Sequence, residues 1–302
     1  MCADATTAAP AAYTVEAAYE WCARLARSHY ENFPVASLLL PAAVRRPVAV
    51  IYAFARSADD IADEGPASMP ERLAGLDDYR RRLDELAQQQ TGNEPIFVAL
   101  ADIVTRHALP LSLFSDLLSA FRQDVTTTRY PDFAAVLDYC RRSANPVGRL
   151  LLHLSGNTDA DNLALSDHVC SALQLINFYQ DLAQDIDEND RIYIPTDEMQ
   201  QYGVDAAHFR DRCNDQALRA LLSAQYQRAR RMMLAGAPLG RRLSGRFGWE
   251  IRLIIEGGLR VLDRLEQQLD TAPFARPRLR RRDWPVMLWR SLFTRYPTAA
   301  AN

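Results

Sequence analysis

Two short stretches of the sequence gather carboxylates at the end of an apolar segment. In residues 48–65, VAVIYAFARSADDIADEG, the acids stand just before a Gly-Pro pair, and in residues 176–193, INFYQDLAQDIDENDRIY, they follow an apolar run. The C-terminal end of a helix carries partial negative charge and normally favours cations. Carboxylates spaced four residues apart there also repel one another. Both stretches therefore predict a bound cation.

The spacing and the residue types indicate which cation. Helical geometry puts the acids of each stretch on one face. The predicted metal-ligating residues are Asp59, Asp60, Asp63, Asn177, Asp181 and Asp185. Oxygen ligands without His or Cys select Mg²⁺, Mn²⁺ or Ca²⁺, and Mg²⁺ usually takes one or two carboxylates and completes its shell with water and substrate phosphate. A single acidic cluster could equally be a solvated helix end that binds no metal. Two clusters of matching form favour a site in which Mg²⁺ ions bind a diphosphate.

Helices must position these acids, because helical periodicity dominates the chain and alternating strand patterns are nearly missing. Predicted helices cover about 13–30, 45–64, 69–89, 94–106, 111–123, 131–154, 161–187, 215–235 and 247–270. We find no repeat and no long linker, so we predict an all-α protein with one helical domain at 13–275. A disordered N-terminus at 1–12 and a basic, aromatic tail at 276–302 complete the predicted organisation.

Composition excludes several function classes. The formal net charge of −3 argues against a general nucleic-acid binder. The sequence has no lysine, which excludes a Schiff-base lysine and a P-loop. Its five cysteines are scattered without a CxxC pair, which fits a reducing compartment better than a disulfide framework. With no signal peptide and no spanning run visible, we predict a cytoplasmic protein.

Three motifs together resemble the squalene/phytoene synthase family. IYAFARSADDIAD, LDYCRRSANPVGRLL and NFYQDLAQD…DRIYIP follow one another in the family's order and spacing, and the resemblance runs from about 29 to 195. It implies an isoprenoid-synthase helical bundle with a central apolar cavity. It also implies Mg²⁺-dependent ionisation of an allylic or cyclopropylcarbinyl diphosphate, with Mn²⁺ as a substitute. Within the family, HYENFPVASLLLP and ANPVG are most similar to bacterial hydroxysqualene synthases.

The resemblance also implies roles for single residues. Asp59, Asp63, Asp181 and Asp185 would bind Mg²⁺, with Asn177 assisting and Asp60 in the same motif. Arg56 and Arg191 are expected to reach the diphosphate, and Phe33, Tyr52 and Tyr139 to line the pocket. The full set of predicted substrate-binding residues is His29, Phe33, Tyr52, Arg56, Asp124, Tyr139, Asn177, Arg191 and Tyr193.

The sequence departs from the family pattern at Asn145 and Pro146, where many relatives carry alanine and glycine. Proline inside a helix costs about 3 kcal/mol, so we expect a break that exposes Asn145 to the cavity. Asparagine donates and accepts hydrogen bonds at once, and Asn145 is therefore a candidate for the catalytic group that holds water. Capping of a restarted helix explains this residue equally well. A second departure is Gln180, where some relatives have a basic residue.

The implied reaction turns presqualene diphosphate and water into hydroxysqualene and diphosphate, without NADPH. Alternatives within the family are condensation of two farnesyl diphosphates to presqualene diphosphate and phytoene synthase-type condensation. A non-catalytic assembly protein of the same fold is a remote alternative, because both aspartate motifs are complete. The same resemblance implies that the product could be handed over to neighbouring enzymes of the squalene pathway.

The tail is a separate feature. Residues 276–296, RPRLRRRDWPVMLWRSLFTRY, interleave seven arginines with tryptophan, leucine and phenylalanine. A helix from Asp283 would place Trp284, Leu288 and Leu292 on one stripe. This pattern is typical of a helix that lies in the plane of an anionic membrane. The expected membrane is the inner face of the cytoplasmic membrane. Capping of the bundle by Trp284 and Trp289 is an equal alternative, and we expect no binding of nucleic acid.

Overall fold

The computed structural model describes residues 13–28, 42–294 and 296, and within these ranges the protein is helical with no strands. The first eight helices are α1 Val15–Ser28, α2 Ala42–Asp63, α3 Met69–Ala87, α4 Pro95–His107, α5 Leu111–Asp124, α6 Phe133–Ser143, α7 Asn145–Ser155 and α8 Ala160–Gln180. The others are α9 Leu182–Asn189, α10 Thr196–Gln201, α11 Ala206–Arg210, α12 Gln216–Gly236, α13 Leu239–Arg242, α14 Gly245–Gln268 and α15 Trp284–Phe293.

The two helices that end in the aspartate motifs lie at the centre of the bundle. Helix α2 packs against α1, α3, α4, α5 and α7, while α8 packs against α6, α7, α12, α13 and α14. Where α8 meets α12, a Cβ on Gly236 would lie 2.7 Å from the carbonyl oxygen of Leu165, so only glycine permits this approach. Helix α7 contacts both α2 and α8. The helices packed around α2 and α8 therefore position the C-terminal ends of both.

Two of the predicted helices are each divided in the structure. The predicted helix 131–154 becomes α6 and α7, which meet at Ala144, directly before the Asn-Pro pair. The predicted continuous helix 161–187 is wrong, because α8 ends at Gln180 and α9 begins at Leu182. Asp181 stands between them with φ −103° and ψ 13°, outside helical geometry. The short helices α10, α11 and α13 carried no clear periodicity in the sequence.

Some predictions fall on residues that the structure does not describe. The predicted disordered N-terminus, 1–12, and the segment HYENFPVASLLLP, 29–41, lie outside the described residues, and His29 and Phe33 with them. Their predicted roles remain predictions. Among the helices of the described ranges, none is both long enough and apolar enough to cross a membrane.

Candidate active site

The two aspartate clusters approach each other across Arg191. Asp63 is the last residue of α2, Asp185 lies on α9, and Arg191 lies in the segment between α9 and α10. The Nη2 atom of Arg191 lies 3.4 Å from Oδ1 of Asp63. Burial first, then the charge of Asp181, and also the charge of Asp63 raise the pKa of Asp185 to about 7. Carboxylates from both motifs therefore share one region.

Arg56 neutralises part of the first cluster. Its Nε lies 2.6 Å from Oδ1 of Asp60, its Nη1 lies 3.6 Å from Oδ2 of Asp59, and it also pairs with Glu64. One cation does not compensate these acids, because burial and the neighbouring charge of Asp63 still raise the pKa of Asp59 to about 7. In the structure Arg56 orients the carboxylates of this cluster. Its predicted contact with a diphosphate remains a prediction.

Arg191 lies beneath the carboxylates, and only 5% of its surface is exposed. It donates to the carbonyl oxygen of Asp124 at 2.6 Å and to the Tyr193 hydroxyl at 3.1 Å. The Tyr139 hydroxyl donates to Oδ2 of Asp124 at 2.7 Å. Although Arg191 and Tyr139 both favour its charged form, burial raises the pKa of Asp124 to about 7. The Nε of Arg191 is buried without a hydrogen-bond partner among the described residues, and the predicted contact of Arg191 with a diphosphate remains a prediction.

A stack of buried aromatic rings lies behind Asp124 and Arg191. The rings of Phe178 and Tyr193 are nearly parallel, at 6° and 3.6 Å between centroids, and Tyr139 and Tyr130 pack around Tyr193. Tyr139 and Tyr193 are buried in the described structure, and the Tyr139 hydroxyl holds Asp124; the predicted contacts of both residues with substrate remain predictions. Tyr52 on α2 is partly exposed, as a wall residue requires.

The second cluster has a partner that the sequence did not reveal. Arg276 binds both oxygens of Asp181, with Nε 2.5 Å from Oδ1 and Nη2 3.1 Å from Oδ2. The side-chain amide of Gln180 donates to the carbonyl oxygen of Pro277 at 2.8 Å. The segment after α14 thus crosses the break between α8 and α9. Asn177 lies one turn before Asp181 on α8 and is partly exposed.

Asn145 begins α7, and its side chain is buried. The break before Pro146 is confirmed, and only 6% of Asn145 is accessible; its predicted exposure to an internal cavity remains a prediction. The Ser171 hydroxyl of α8 donates to its Oδ1 at 2.9 Å. The amide therefore joins α7 to α8, and a water-holding role would require an enclosed cavity.

The acidic clusters fit Mg²⁺ better than a metal with many protein ligands. Within the described ranges, no group of three or more His, Cys, Asp or Glu residues is placed to hold a metal ion. Mg²⁺ needs only one or two protein carboxylates, since water and phosphate supply the remaining ligands. Burial first, and then the charges of neighbouring carboxylates, raise the pKa values of Asp59 and Asp185 to about 7, so more negative charge is gathered here than the metal-free fold favours. A divalent cation would relieve this imbalance.

These raised pKa values predict how stability depends on pH. Asp124 and Asp185 have pKa values of about 7 in the folded protein, against 3.8 ordinarily. Between these values the folded protein binds protons that the unfolded chain has released, so stability falls as pH rises. We expect metal-free protein to be less resistant to urea at about pH 8 than at about pH 5.5, and Asp124→Asn to reduce the difference. A stability that rises over this interval would contradict the assignment.

Known proteins share this architecture and sequence. Residues 26–284 match the family model for squalene/phytoene synthase. A hydroxysqualene synthase from Zymomonas mobilis is 43% identical over 179 residues, 58% of this chain and 58% of the relative, so the match covers less than two thirds of that protein. A hydroxysqualene synthase from Rhodopseudomonas palustris is 35% identical over 229 residues, 74% of this chain and 75% of the relative.

The structural comparison agrees with the sequence comparison. The crystal structure of a squalene synthase from Alicyclobacillus acidocaldarius matches with a TM-score of 0.79 at 34% identity, covering 84% of this chain and 95% of that chain. A dehydrosqualene synthase matches with a TM-score of 0.76 at 20% identity, which supports the fold alone. The predicted all-α isoprenoid-synthase bundle is confirmed. The chain belongs to the squalene/phytoene synthase family.

Proposed function

We propose that the protein converts presqualene diphosphate and water into hydroxysqualene and diphosphate, with Mg²⁺ as cofactor. The observation that carries this proposal is the approach of Asp63 and Asp185 across Arg191, which brings two carboxylate-rich helix ends together. Relatives named hydroxysqualene synthase, at 43% and 35% identity, support the choice of reaction within the family.

Bound Mg²⁺ would neutralise the leaving diphosphate and so ease cleavage of its carbon–oxygen bond. Asp59, Asp63, Asp181 and Asp185 would hold the ions, with Asn177 assisting. Mn²⁺ accepts the same oxygen ligands and would replace it. Arg56 and Arg276 orient carboxylates of the two clusters in the described structure.

The remaining residues would guide the carbocation. When the carbon–oxygen bond breaks, its electron pair leaves with diphosphate, and the cyclopropylcarbinyl cation rearranges in an apolar cavity. A cation held over an aromatic face is stabilised by about 0.5–2 kcal/mol, a role for Phe33 and Tyr52. The oxygen of water then bonds to the cation, and its proton passes to solvent or diphosphate. This step takes up no hydride, so the proposed reaction requires no NADPH.

Asn145 offers a test of how the water is held. If its amide positions the water, Asn145→Ala should reduce hydroxysqualene formation by about 10-fold, since one hydrogen bond contributes about 0.5–1.5 kcal/mol and about 1.4 kcal/mol is a factor of ten in rate. Ser171→Ala is the matched control, because it breaks the observed hydrogen bond to Oδ1 while keeping the amide. Product mass spectrometry with both variants separates the roles. Equal losses would assign Asn145 to the joint between α7 and α8.

Product analysis tests the proposed reaction itself. Purified protein with Mg²⁺ would receive farnesyl diphosphate or presqualene diphosphate separately, without NADPH, and the lipids would be identified by mass spectrometry. We expect hydroxysqualene from presqualene diphosphate. If protein shown to be folded by circular dichroism formed no product from either substrate, the result would contradict the proposal. It would favour a non-catalytic assembly protein.

Condensation is the second candidate function. A phytoene synthase from Mycobacterium tuberculosis is 32% identical over 190 residues, 63% of this chain and 61% of that relative, so the sequence is also similar to a synthase named for another product. The aspartate clusters suit any prenyl diphosphate and do not separate the two reactions. Presqualene diphosphate formed from farnesyl diphosphate would assign the protein to the condensing branch and leave Asn145 without a role in product choice.

A further inference from the structure

Large apolar side chains are concentrated on the outer side of α15. Six of the eleven large hydrophobic residues that are exposed in the described part of the chain lie there: Trp284, Val286, Leu288, Trp289, Leu292 and Phe293. We call these six the α15 face. Trp289 and Phe293 are 61% and 65% exposed, and their ring centroids lie 5.7 Å apart. An apolar patch of this kind marks a site of interaction.

The opposite side of α15 is fixed to the bundle. Met287 and Ser291 are buried against α14. The Trp249 indole donates to the Ser291 hydroxyl at 3.0 Å, and Arg290 pairs with Glu256 at 3.1 Å. The six residues therefore point outward on an anchored helix. The alternative in which Trp284 and Trp289 cap the bundle is wrong, since both are at least half exposed.

The surface beside the α15 face is basic. Asp283 is the only acidic residue in 271–302, and it is fully buried between Arg260 and Arg264, at 2.9 and 2.6 Å. Four exposed arginines precede the helix, and none forms an ion pair with a described carboxylate. They are Arg278, Arg280, Arg281 and Arg282. The segment therefore presents cations and apolar groups with no exposed carboxylate among the described residues.

We propose that the α15 face and these arginines dock the protein on an anionic lipid bilayer, with α15 lying in the plane of the membrane. An apolar helix face enters the boundary between headgroups and acyl chains, while nearby arginines are attracted to lipid phosphates. A protein partner fits less well, because protein interfaces carry about one hydrogen bond per 100–200 Å². The six side chains offer only the two indole N–H groups as polar atoms.

Docking through α15 would also place the carboxylates close to the lipid. Arg276, which binds Asp181, precedes Trp284 by eight residues, and eight extended residues span at most about 28 Å. The bilayer would lie within about 28 Å of the Arg276 backbone, whose side chain binds Asp181. The docking proposal concerns lipid binding alone and is independent of the proposed reaction.

Vesicle flotation without substrate tests the proposal. The protein would be mixed with vesicles of phosphatidylglycerol and phosphatidylcholine, or of phosphatidylcholine alone. We expect binding to the anionic vesicles only, weaker at high salt. Trp289→Ser/Phe293→Ser should weaken it at least about 10-fold, and Arg281→Ser/Arg282→Ser about 5-fold for each arginine removed. Met69→Ser/Leu137→Ser is the matched control, since both residues are exposed and apolar but lie elsewhere; it should bind as the wild type does.

Several outcomes would overturn the proposal. The first is a failure of the wild-type protein to bind anionic vesicles. The second is undiminished binding by the variant Trp289→Ser/Phe293→Ser. A third is a dimer, found by analytical ultracentrifugation, that dissociates in this variant while no vesicles bind; the α15 face would then contact a second copy. Thermal unfolding of each variant would establish that it is folded, so that a loss of binding is assigned to the surface.

Discussion

Asp59→Asn and Asp181→Asn are each expected to reduce turnover of presqualene diphosphate by about 10²–10³-fold, the usual cost of removing one preorganised electrostatic contact to a transition state. Each change removes a carboxylate charge while keeping nearly the same volume. The two residues belong to different motifs, on α2 and at the α8–α9 break. Steady-state assays at the Mg²⁺ concentration that just saturates the wild type measure the effect. Raising Mg²⁺ further should recover part of the activity, because the variants bind the ion more weakly.

The stability of these variants separates catalysis from folding. Burial and neighbouring charges raise the pKa of Asp59, so its charge is unfavourable in the metal-free fold. Asp59→Asn should therefore unfold at the same temperature as the wild type or higher. Asp84→Asn is a matched control, because Asp84 is an exposed helical aspartate paired with Arg80, and its activity should be unchanged. Full activity in Asp59→Asn would contradict the role of the first motif.

Arg191→Met is expected to destabilise the fold by about 3–5 kcal/mol, the usual effect of removing one partner from a buried ion pair. Arg191 is buried and contacts both Asp63 and Asp124. Its loss therefore leaves the buried carboxylate of Asp124 without its cationic partner. Turnover should fall as well, since Asp63 loses its link to the second motif. Urea unfolding at pH 8 measures the stability, and circular dichroism shows whether the fold persists.

A double substitution makes this prediction specific. Asp124→Asn in the Arg191→Met background should recover part of the lost stability, because the uncompensated carboxylate is then neutral. Arg210→Met is the control: Arg210 is exposed and pairs with Asp190, so we expect a loss of at most about 1 kcal/mol. If Arg191→Met were no more harmful than Arg210→Met, the central place of Arg191 would be wrong.

The helices of the site were largely predictable from sequence, and its contacts were not. Apolar periodicity predicted α2 at 45–64, and the observed helix covers 42–63, so both ends agree within three residues. Pro146 signalled the boundary between α6 and α7. The boundary at Asp181 has neither glycine nor proline, so local sequence gave no sign of it. There Gln180 and Asp181 both bind the segment at 276–277, almost a hundred residues away.

Side-chain burial was also hidden from the sequence. Arg191 and Tyr139 were expected to reach the substrate because the resemblance to the squalene/phytoene synthase family implies these roles. In the structure both support Asp124 from buried positions. Arg276 was assigned to the tail, yet it binds a carboxylate of the second motif. Gln180 stands where some relatives carry a basic residue, and in the structure Arg276 brings a cation to the neighbouring Asp181.

The most direct test of the central claim is the fate of oxygen when wild-type protein and Mg²⁺ act on presqualene diphosphate in ¹⁸O-labelled water. Cleavage of the carbon–oxygen bond followed by capture of water predicts hydroxysqualene with one ¹⁸O atom and unlabelled diphosphate, both measured by mass spectrometry. Attack at phosphorus would instead give presqualene alcohol without label. Unlabelled alcohol, or no alcohol from folded protein, would contradict the claim that this fold ionises the substrate and captures water.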